Sequence, residues 1–208
     1  LMVIDHPIFL ESIRFIRSHL LANDLNYLEK KVLERLVHTS GDFSVQNLVN
    51  FSEGACEKGL QALKNGAPIL TDTDMAAAAI KSMAENTTRN KVFTARMWFG
   101  KNNHTNLTKT AYGLSEGWKE LSAINSGSKS PIVVIGSSPT ALTYLIDILE
   151  NAKDLPSLII GMPVGFIGVE KSKNKLISTD LPRIVLNSTR GGAAMAAAAV
   201  NALLRETI

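Results

Sequence analysis

The sequence contains very little cysteine. Cys56 is the only one among 208 residues, so the chain can form neither an intramolecular disulfide nor a metal site built from several thiolates. Proteins without disulfides are typical of a reducing compartment. We therefore expect a cytoplasmic protein whose stability comes from its hydrophobic core.

Long hydrophobic runs are also missing. The most apolar stretch, Ala193 to Leu204, contains Asn201 and is flanked by Arg190 and Arg205, and it is shorter than the roughly 20 apolar residues that span a bilayer. The first residues mix charged and apolar side chains and lack the uninterrupted apolar region of a secretory signal. We expect neither a membrane helix nor export.

No block of one charge stands out. The chain has 22 Lys and Arg against 19 Asp and Glu, a net charge of +3, and the scattered basic residues argue against nucleic-acid binding. The small excess of positive charge favours anionic ligands. His6, His19 and His104 lack the spacing of a metal site, so we expect no metal and no protein-bound cofactor.

Apolar residues are plentiful, at 45% of the chain, which is enough to bury a sizeable core. The length fits one domain, residues 1–208. Its first part reads as helical. Asp5 followed by Pro7 predicts the start of one helix, Asn23 or Asp24 can cap a second that ends near Gly41, and residues 53–64 form a third.

After residue 66 short apolar runs alternate with helical windows. The predicted strands are residues 67–71, 91–95, 131–135, 157–161 and 183–187, and the predicted helices are residues 74–84, 108–124, 140–151 and 192–206. Most of these strands are solidly apolar, which is typical of strands buried on both faces. The alternation predicts a parallel sheet between two layers of helices.

Three groups of residues together resemble one enzyme family, the precorrin-8X methylmutases, also called cobalt-precorrin-8 methylmutases. The first is residues 35–42, Arg-Leu-Val-His-Thr-Ser-Gly-Asp, and the second is residues 66–72, Gly-Ala-Pro-Ile-Leu-Thr-Asp, followed by Met75. The third combines the segments 138–142, 161–166 and 190–195. Their order and spacing match the family over nearly the whole chain.

The resemblance implies a three-layer α/β/α fold with a flavodoxin-like sheet of five parallel strands in the order 2-1-3-4-5, preceded by an N-terminal helical segment. It also implies a homodimer with the active site near the subunit interface. In such sheets ligands bind at the carboxyl ends of the strands where the order reverses. This places the expected site at the loops 71–74 and 136–140.

The implied activity is an isomerisation in cobalamin biosynthesis, a 1,5-sigmatropic methyl shift from C11 to C12 of precorrin-8X or cobalt-precorrin-8. The tetrapyrrole product is hydrogenobyrinic or cobyrinic acid, and any cobalt is carried by the substrate. One acid is required, and the resemblance assigns it to His38. The dipole of the helix that ends after His38 favours the imidazolium form, although a histidine here can also simply cap the helix.

The resemblance assigns substrate binding to Ser12, Arg35, Lys109, Ser138 and Thr140. Arg35 precedes His38 by three residues and so shares its helix face. Lys109 stands where the family often has arginine, and lysine lacks the two-pronged carboxylate grip. Each also has a structural reading: a helix serine, solvated basic residues, and a plain cap for the helix that begins near Thr140.

Two other functions are compatible with parts of the sequence. A corrinoid-binding carrier would keep the pocket without turnover, and the lysine at 109 leaves room for it. A nucleotide-binding or flavin-binding protein would use residues 136–140 as a phosphate loop, but the glycine patterns of such loops are missing. The absorption spectrum of the substrate after mixing discriminates turnover from mere binding.

Overall fold

The computed structural model describes residues 6–21, 24–100 and 106–208, and these ranges contain eight α-helices and six strands. The helices are α1 (Pro7–His19), α2 (Tyr27–Ser40), α3 (Ala55–Lys64), α4 (Asp74–Asn86), α5 (Lys109–Ile124), α6 (Pro139–Leu149), α7 (Val169–Ile177) and α8 (Ala193–Arg205). The strands are β1 (Val49–Phe51), β2 (Ile69–Thr71), β3 (Val92–Thr94), β4 (Ile132–Ile135), β5 (Leu158–Gly161) and β6 (Arg183–Leu186).

The strands form one mixed sheet in the order β1-β6-β5-β4-β2-β3. The five predicted strands correspond to β2 through β6 and are mutually parallel, whereas β1 pairs antiparallel with β6. The expected five-stranded parallel sheet is therefore corrected to a mixed sheet of six. The sequence did not reveal β1 because its three residues include the polar Asn50 and therefore form no continuous apolar run. Burial on both faces was wrong for β3, which is a half-buried edge strand.

Helix α7 was also missed. It connects β5 to β6, which are parallel and therefore need a crossover element. Its segment, VEKSKNKLI, is rich in lysine and has few apolar residues, so it gives a weak helical pattern. The parallel pairing of its neighbouring strands is the stronger signal for this helix.

Each face of the sheet has its own hydrophobic core, so the molecule has three layers. One core joins the sheet to α1, α2, α3, α4 and α8, and the other joins it to α5, α6 and α7. The central strands β4 and β5 are buried throughout. The alanine-rich α8 packs against both α2 and α4, because its small side chains let neighbouring helices approach closely. This packing places α2 over one face of the sheet.

Both ends of α2 have well-defined caps. Asn26 accepts a hydrogen bond from the Glu29 N–H while the Glu29 side chain accepts one from the Asn26 N–H, which is a capping box. Asp24 thus precedes the true cap, and the alternative Asn23 lies outside the described residues. At the other end Gly41 adopts φ +64°, as predicted for a left-handed stop. The side chain of His6 caps α1, and Asp5 lies outside the described residues.

The loops that follow β5 and β6 are joined at the carboxyl edge of the sheet. The Gly192 N–H donates to the Met162 carbonyl at 2.9 Å, and the Gly165 N–H donates to the Thr189 carbonyl at 3.0 Å. A Cβ atom on Gly191 would lie 2.1 Å from the Met162 carbonyl oxygen. The backbone of this loop therefore packs too closely at Gly191 for any side chain. Across the described ranges no helix is long and apolar enough to cross a membrane.

Candidate active site

His38 lies in the last turn of α2 and contacts α1. The Ser12 Oγ is 3.0 Å from the His38 Nδ1, and the Phe9 ring meets the imidazole edge-on with the ring centroids 5.3 Å apart. His38 and Ser12 are both half-buried. Two residues that are 26 positions apart in the sequence, and that we predicted separately, therefore form one hydrogen-bonded pair.

The pKa of His38 is lowered, first by burial and second by the positive charge of Arg35. The helix dipole led us to expect the opposite direction. Loss of hydration and a nearby guanidinium both disfavour the imidazolium at this partly buried position. His38 is consequently a stronger acid than an ordinary histidine and carries less charge at neutral pH.

Arg35 extends the site along α2. Its guanidinium carbon lies 5.1 Å from the centroid of the Phe9 ring, and the guanidinium carbon of Arg205 lies at the same distance from that ring. Phe9, which also touches His38, thus connects His38 to both arginines. The sequence offered no signal for Arg205 or Phe9, because only the packing of α8 against α2 brings the end of the chain here.

The two arginines line a cavity of about 470 Å³ between α1, α2 and the end of α8. Its wall also contains three more basic residues, Arg14, Arg17 and Lys31, and two acidic residues, Glu34 and Glu206. Arg17 binds Glu34 through two hydrogen bonds of 2.6 and 2.9 Å. The wall keeps more positive than negative side chains, which suits an anionic ligand.

Lys109, Ser138 and Thr140 belong to a second group, at the starts of α5 and α6. The Ser138 side chain caps α6, as predicted, by accepting from the Ala141 N–H at 3.2 Å. The Thr140 hydroxyl lies 3.0 Å from the Ser138 Oγ and 2.9 Å from the Thr108 Oγ. Thr108 caps α5, whose first residue is Lys109. These residues form a cluster of hydroxyls beside one exposed lysine.

Asp72 alters the prediction for this second group. Its side chain is 2% exposed, and its Oδ2 accepts from the backbone N–H groups of Ser137 at 2.6 Å and Ser138 at 3.0 Å. These two donors at the start of α6 are therefore already occupied by a carboxylate of the chain itself. Burial raises the pKa of Asp72, against the lowering effect of the N–H groups. Thr73, rather than Asp72, caps α4.

The two groups lie on opposite faces of the sheet. Ser12, Arg35 and His38 belong to the layer that contains α1 and α2, whereas Lys109, Ser138 and Thr140 begin helices of the other layer. A cavity of about 190 Å³ lined by Thr39, Leu186 and Gly191 places the last turn of α2 beside the carboxyl end of β6. The carboxyl edge thus carries both groups, one in each helical layer of the chain.

The remaining histidines have local contacts. His6 caps α1, and His19 bonds the Phe15 carbonyl at 2.8 Å. His104 lies outside the described residues. Within the part of the chain that the structure describes, no group of three His, Cys, Asp or Glu side chains could hold a metal ion.

Comparison with known proteins gives one consistent result. The family model described as precorrin-8X methylmutase matches residues 7–206. A precorrin-8X methylmutase from Pseudomonas aeruginosa is 37% identical over 85% of this chain and 84% of its own length. A cobalt-precorrin-8 methylmutase from Synechocystis sp. is 30% identical over 97% and 95%. The crystal structure of precorrin-8X methylmutase from Thermus thermophilus matches with a TM-score of 0.83 at 29% identity, over 96% and 95%.

Proposed function

The chain belongs to the precorrin-8X methylmutase family, and we propose that His38 is the acid with which it isomerises its tetrapyrrole substrate. The protein is an isomerase of cobalamin biosynthesis that moves a methyl group within one molecule. The observation that supports His38 most directly is its hydrogen bond to Ser12 beside Phe9. With Nδ1 engaged by Ser12, we assign proton delivery to Nε2.

The reaction we propose is the 1,5-sigmatropic shift of a methyl group from C11 to C12. His38 donates a proton to the part of the ring that accepts electron density, and it recovers a proton after the shift. The breaking and forming carbon bonds belong to the same methyl group, so neither an oxidant nor a methyl donor is consumed. The lowered pKa has two effects: the protonated His38 gives its proton more readily to a weakly basic ring nitrogen, but a smaller fraction of His38 is protonated at neutral pH.

Substrate binding rests on the carboxylate groups of the macrocycle. Arg35 lies beside the acid and suits a two-pronged grip, whereas Lys109 offers a point charge next to the Ser138 and Thr140 hydroxyls. A substrate carboxylate near Arg35 offsets the charge that lowers the pKa of His38, so binding prepares His38 for proton transfer. We propose no protein-bound cofactor. Relatives carry both substrate names, and any cobalt belongs to the substrate.

We propose that the protein is a cytoplasmic homodimer of single-domain chains with flavodoxin-like parallel strands. The argument for the dimer is the location of the two groups. One macrocycle is large and flat, while the His38 and Lys109 groups lie on opposite layers of one chain. A two-fold axis near the carboxyl edge would let one protomer supply the acid and its partner supply the lysine and hydroxyls.

The test is single-turnover conversion of authentic precorrin-8X, followed by the absorption spectrum. His38→Ala should slow the conversion roughly 10²-fold to 10⁴-fold, the usual contribution of a general acid, while substrate still binds. His19→Ala is the matched control, because His19 is exposed on α1. Near wild-type conversion by His38→Ala would remove the assignment. A spectrum that changes on binding but never converts, even in the wild type, would indicate a corrinoid carrier.

A further inference from the structure

Lys173 in α7 is a lysine with 0% exposure. Its ammonium group donates to the backbone carbonyls of Ser188 and Arg190, each at 2.6 Å. A charged group without water is costly unless its hydrogen bonds are satisfied. The two carbonyls belong to the loop between β6 and α8. The Lys173 ammonium group therefore anchors that loop by two hydrogen bonds.

The same loop also contacts the segment that follows α2, through the Arg190 side chain. From its backbone the Arg190 side chain extends to Asp42, with the Nη2 atom 2.5 Å from Oδ2, and to the Ser44 hydroxyl at 2.8 Å. Asp42 follows Gly41, which ends α2 three residues after His38. Hydrogen bonds therefore run from Lys173 through the loop and Arg190 to the end of the helix that carries His38.

We propose that Lys173 is a positioning residue that fixes His38 through this chain of contacts. The inference rests on the proposed role of His38 as the acid. Two carbonyl oxygens aimed at one point need a donor between them, and an apolar side chain would leave both without a partner. The loop would then turn its carbonyls elsewhere, and Arg190 would lose its position against Asp42.

Apart from its backbone hydrogen bonds to the loop after β5, the loop has no regular structure that would fix its shape. Gly191 adopts φ +153°, a region that other residues rarely adopt, so the segment does not define its own shape as a helix or strand does. Burial lowers the pKa of Lys173 to about 8, and the negative charge of Glu170 partly opposes this. The ammonium form, which can donate to both carbonyls, therefore still predominates at neutral pH.

The decisive variant is Lys173→Met, which keeps the length and bulk of the side chain and removes its donors. We expect kcat to fall roughly tenfold to a hundredfold, the effect of a small misplacement of a catalytic group, with KM within twofold. The NMR signal of the His38 imidazole should shift its position and its titration midpoint. Lys171→Met, an exposed neighbour on the same helix, is the control and should change neither.

A second variant tests the same chain where folding is not at risk. Arg190→Gln cuts the contact with Asp42 at a side chain that is 40% exposed, and it should reproduce the kcat loss. In the double variant kcat should fall no further than in either single variant, because both substitutions interrupt the same chain of hydrogen bonds. Unchanged kcat and an unchanged His38 signal in Arg190→Gln and in folded Lys173→Met, with only a lower melting temperature, would overturn the proposal.

The two proposals can fail separately. If His38 is not the acid, His38→Ala remains active. If Lys173 does not position His38, His38→Ala is inactive while Lys173→Met converts the substrate like the wild type.

Discussion

At the scale of single residues, burial and then the positive charge of Arg35 lower the pKa of His38, while the Ser12 hydroxyl contacts the same ring at Nδ1. We expect the Ser12 hydroxyl to accept from Nδ1–H of the charged imidazole and so to favour the imidazolium, whereas Arg35 disfavours it. A general acid works in its protonated form, so activity falls as the pH rises through its pKa. Ser12 and Arg35 can be replaced one at a time, and the two replacements should shift the pKa of His38 in opposite directions.

Ser12→Ala removes the hydrogen-bond acceptor from the charged imidazole. The pKa of His38 should fall further, and the alkaline limb of the rate profile should move to lower pH. One hydrogen bond is typically worth about 0.5–1.5 kcal/mol, so the rate at neutral pH should drop by roughly tenfold or less. Profiles of kcat from pH 5 to 9 measure this effect, and Ser18→Ala, an exposed serine on the same helix, is its control.

Arg35→Gln should shift the same limb to higher pH, because the nearby positive charge is removed. It should also weaken substrate binding by roughly tenfold to a hundredfold, the value of about 1.5–3 kcal/mol for a charge-assisted contact. Titration of substrate into the variant gives the affinity, and the rate profile gives the pKa. Affinity within twofold of the wild type would show that Arg35 is not a carboxylate ligand.

The sequence revealed this residue-scale site only in part. The spacing of Arg35 and His38 on one helix face is a local property, so sequence suffices for it. Ser12 came from the family resemblance, and its contact with His38 depends on how α1 packs against α2. Phe9 and Arg205 could not be found, because their meeting joins the two ends of the chain.

At the scale of elements, the pattern of apolar residues in the sequence predicted the helices and strands that are most apolar. Strands β4 and β5 were recognised because they are apolar and buried throughout, whereas β1 forms no continuous apolar run and α7 is too polar to show a helical period. The pKa of His38 is lowered rather than raised for a similar reason: the position of His38 in its helix can be predicted from sequence, whereas its burial cannot. Asp72 is a further case: its partners at residues 137 and 138 are set by the neighbouring strand.

The loops at the carboxyl edge depend on close backbone contact, and Gly191→Ala tests this. The added Cβ would meet the Met162 carbonyl oxygen at 2.1 Å in a backbone with φ +153°. Overpacking and backbone strain together should lower the free energy of unfolding by about 2–4 kcal/mol. Gly66→Ala is the control: φ is +83° with no atom within 4 Å of the new Cβ, so strain alone should cost about 1–2 kcal/mol. Urea denaturation measures both, and equal losses would contradict the contact.

At the scale of the whole molecule, the two residue groups require a partner if they share one ligand. One chain has a mass of 22.5 kDa, so sedimentation at micromolar concentration should show a species of about twice that mass, since closed two-fold dimers are the commonest assembly. A fully active monomer would contradict a site at the interface. Mass alone, however, does not say which residues meet across it.

Mixing two inactive variants decides how the groups combine. His38→Ala removes the proposed acid, and Lys109→Ala removes the lysine of the other layer, which should weaken substrate binding at least tenfold, as loss of a charge-assisted contact does. If each site takes His38 from one protomer and Lys109 from its partner, a mixed dimer keeps one intact site. Random exchange then restores about a quarter of all sites, since about half of the dimers are mixed and each has two sites.

The measurement is single-turnover conversion at a substrate concentration where each variant alone is silent, after the proteins are unfolded and refolded together. If both residues act within one chain, every site lacks one of them and mixing restores nothing. A Lys109→Ala variant with wild-type affinity would instead remove Lys109 from the site.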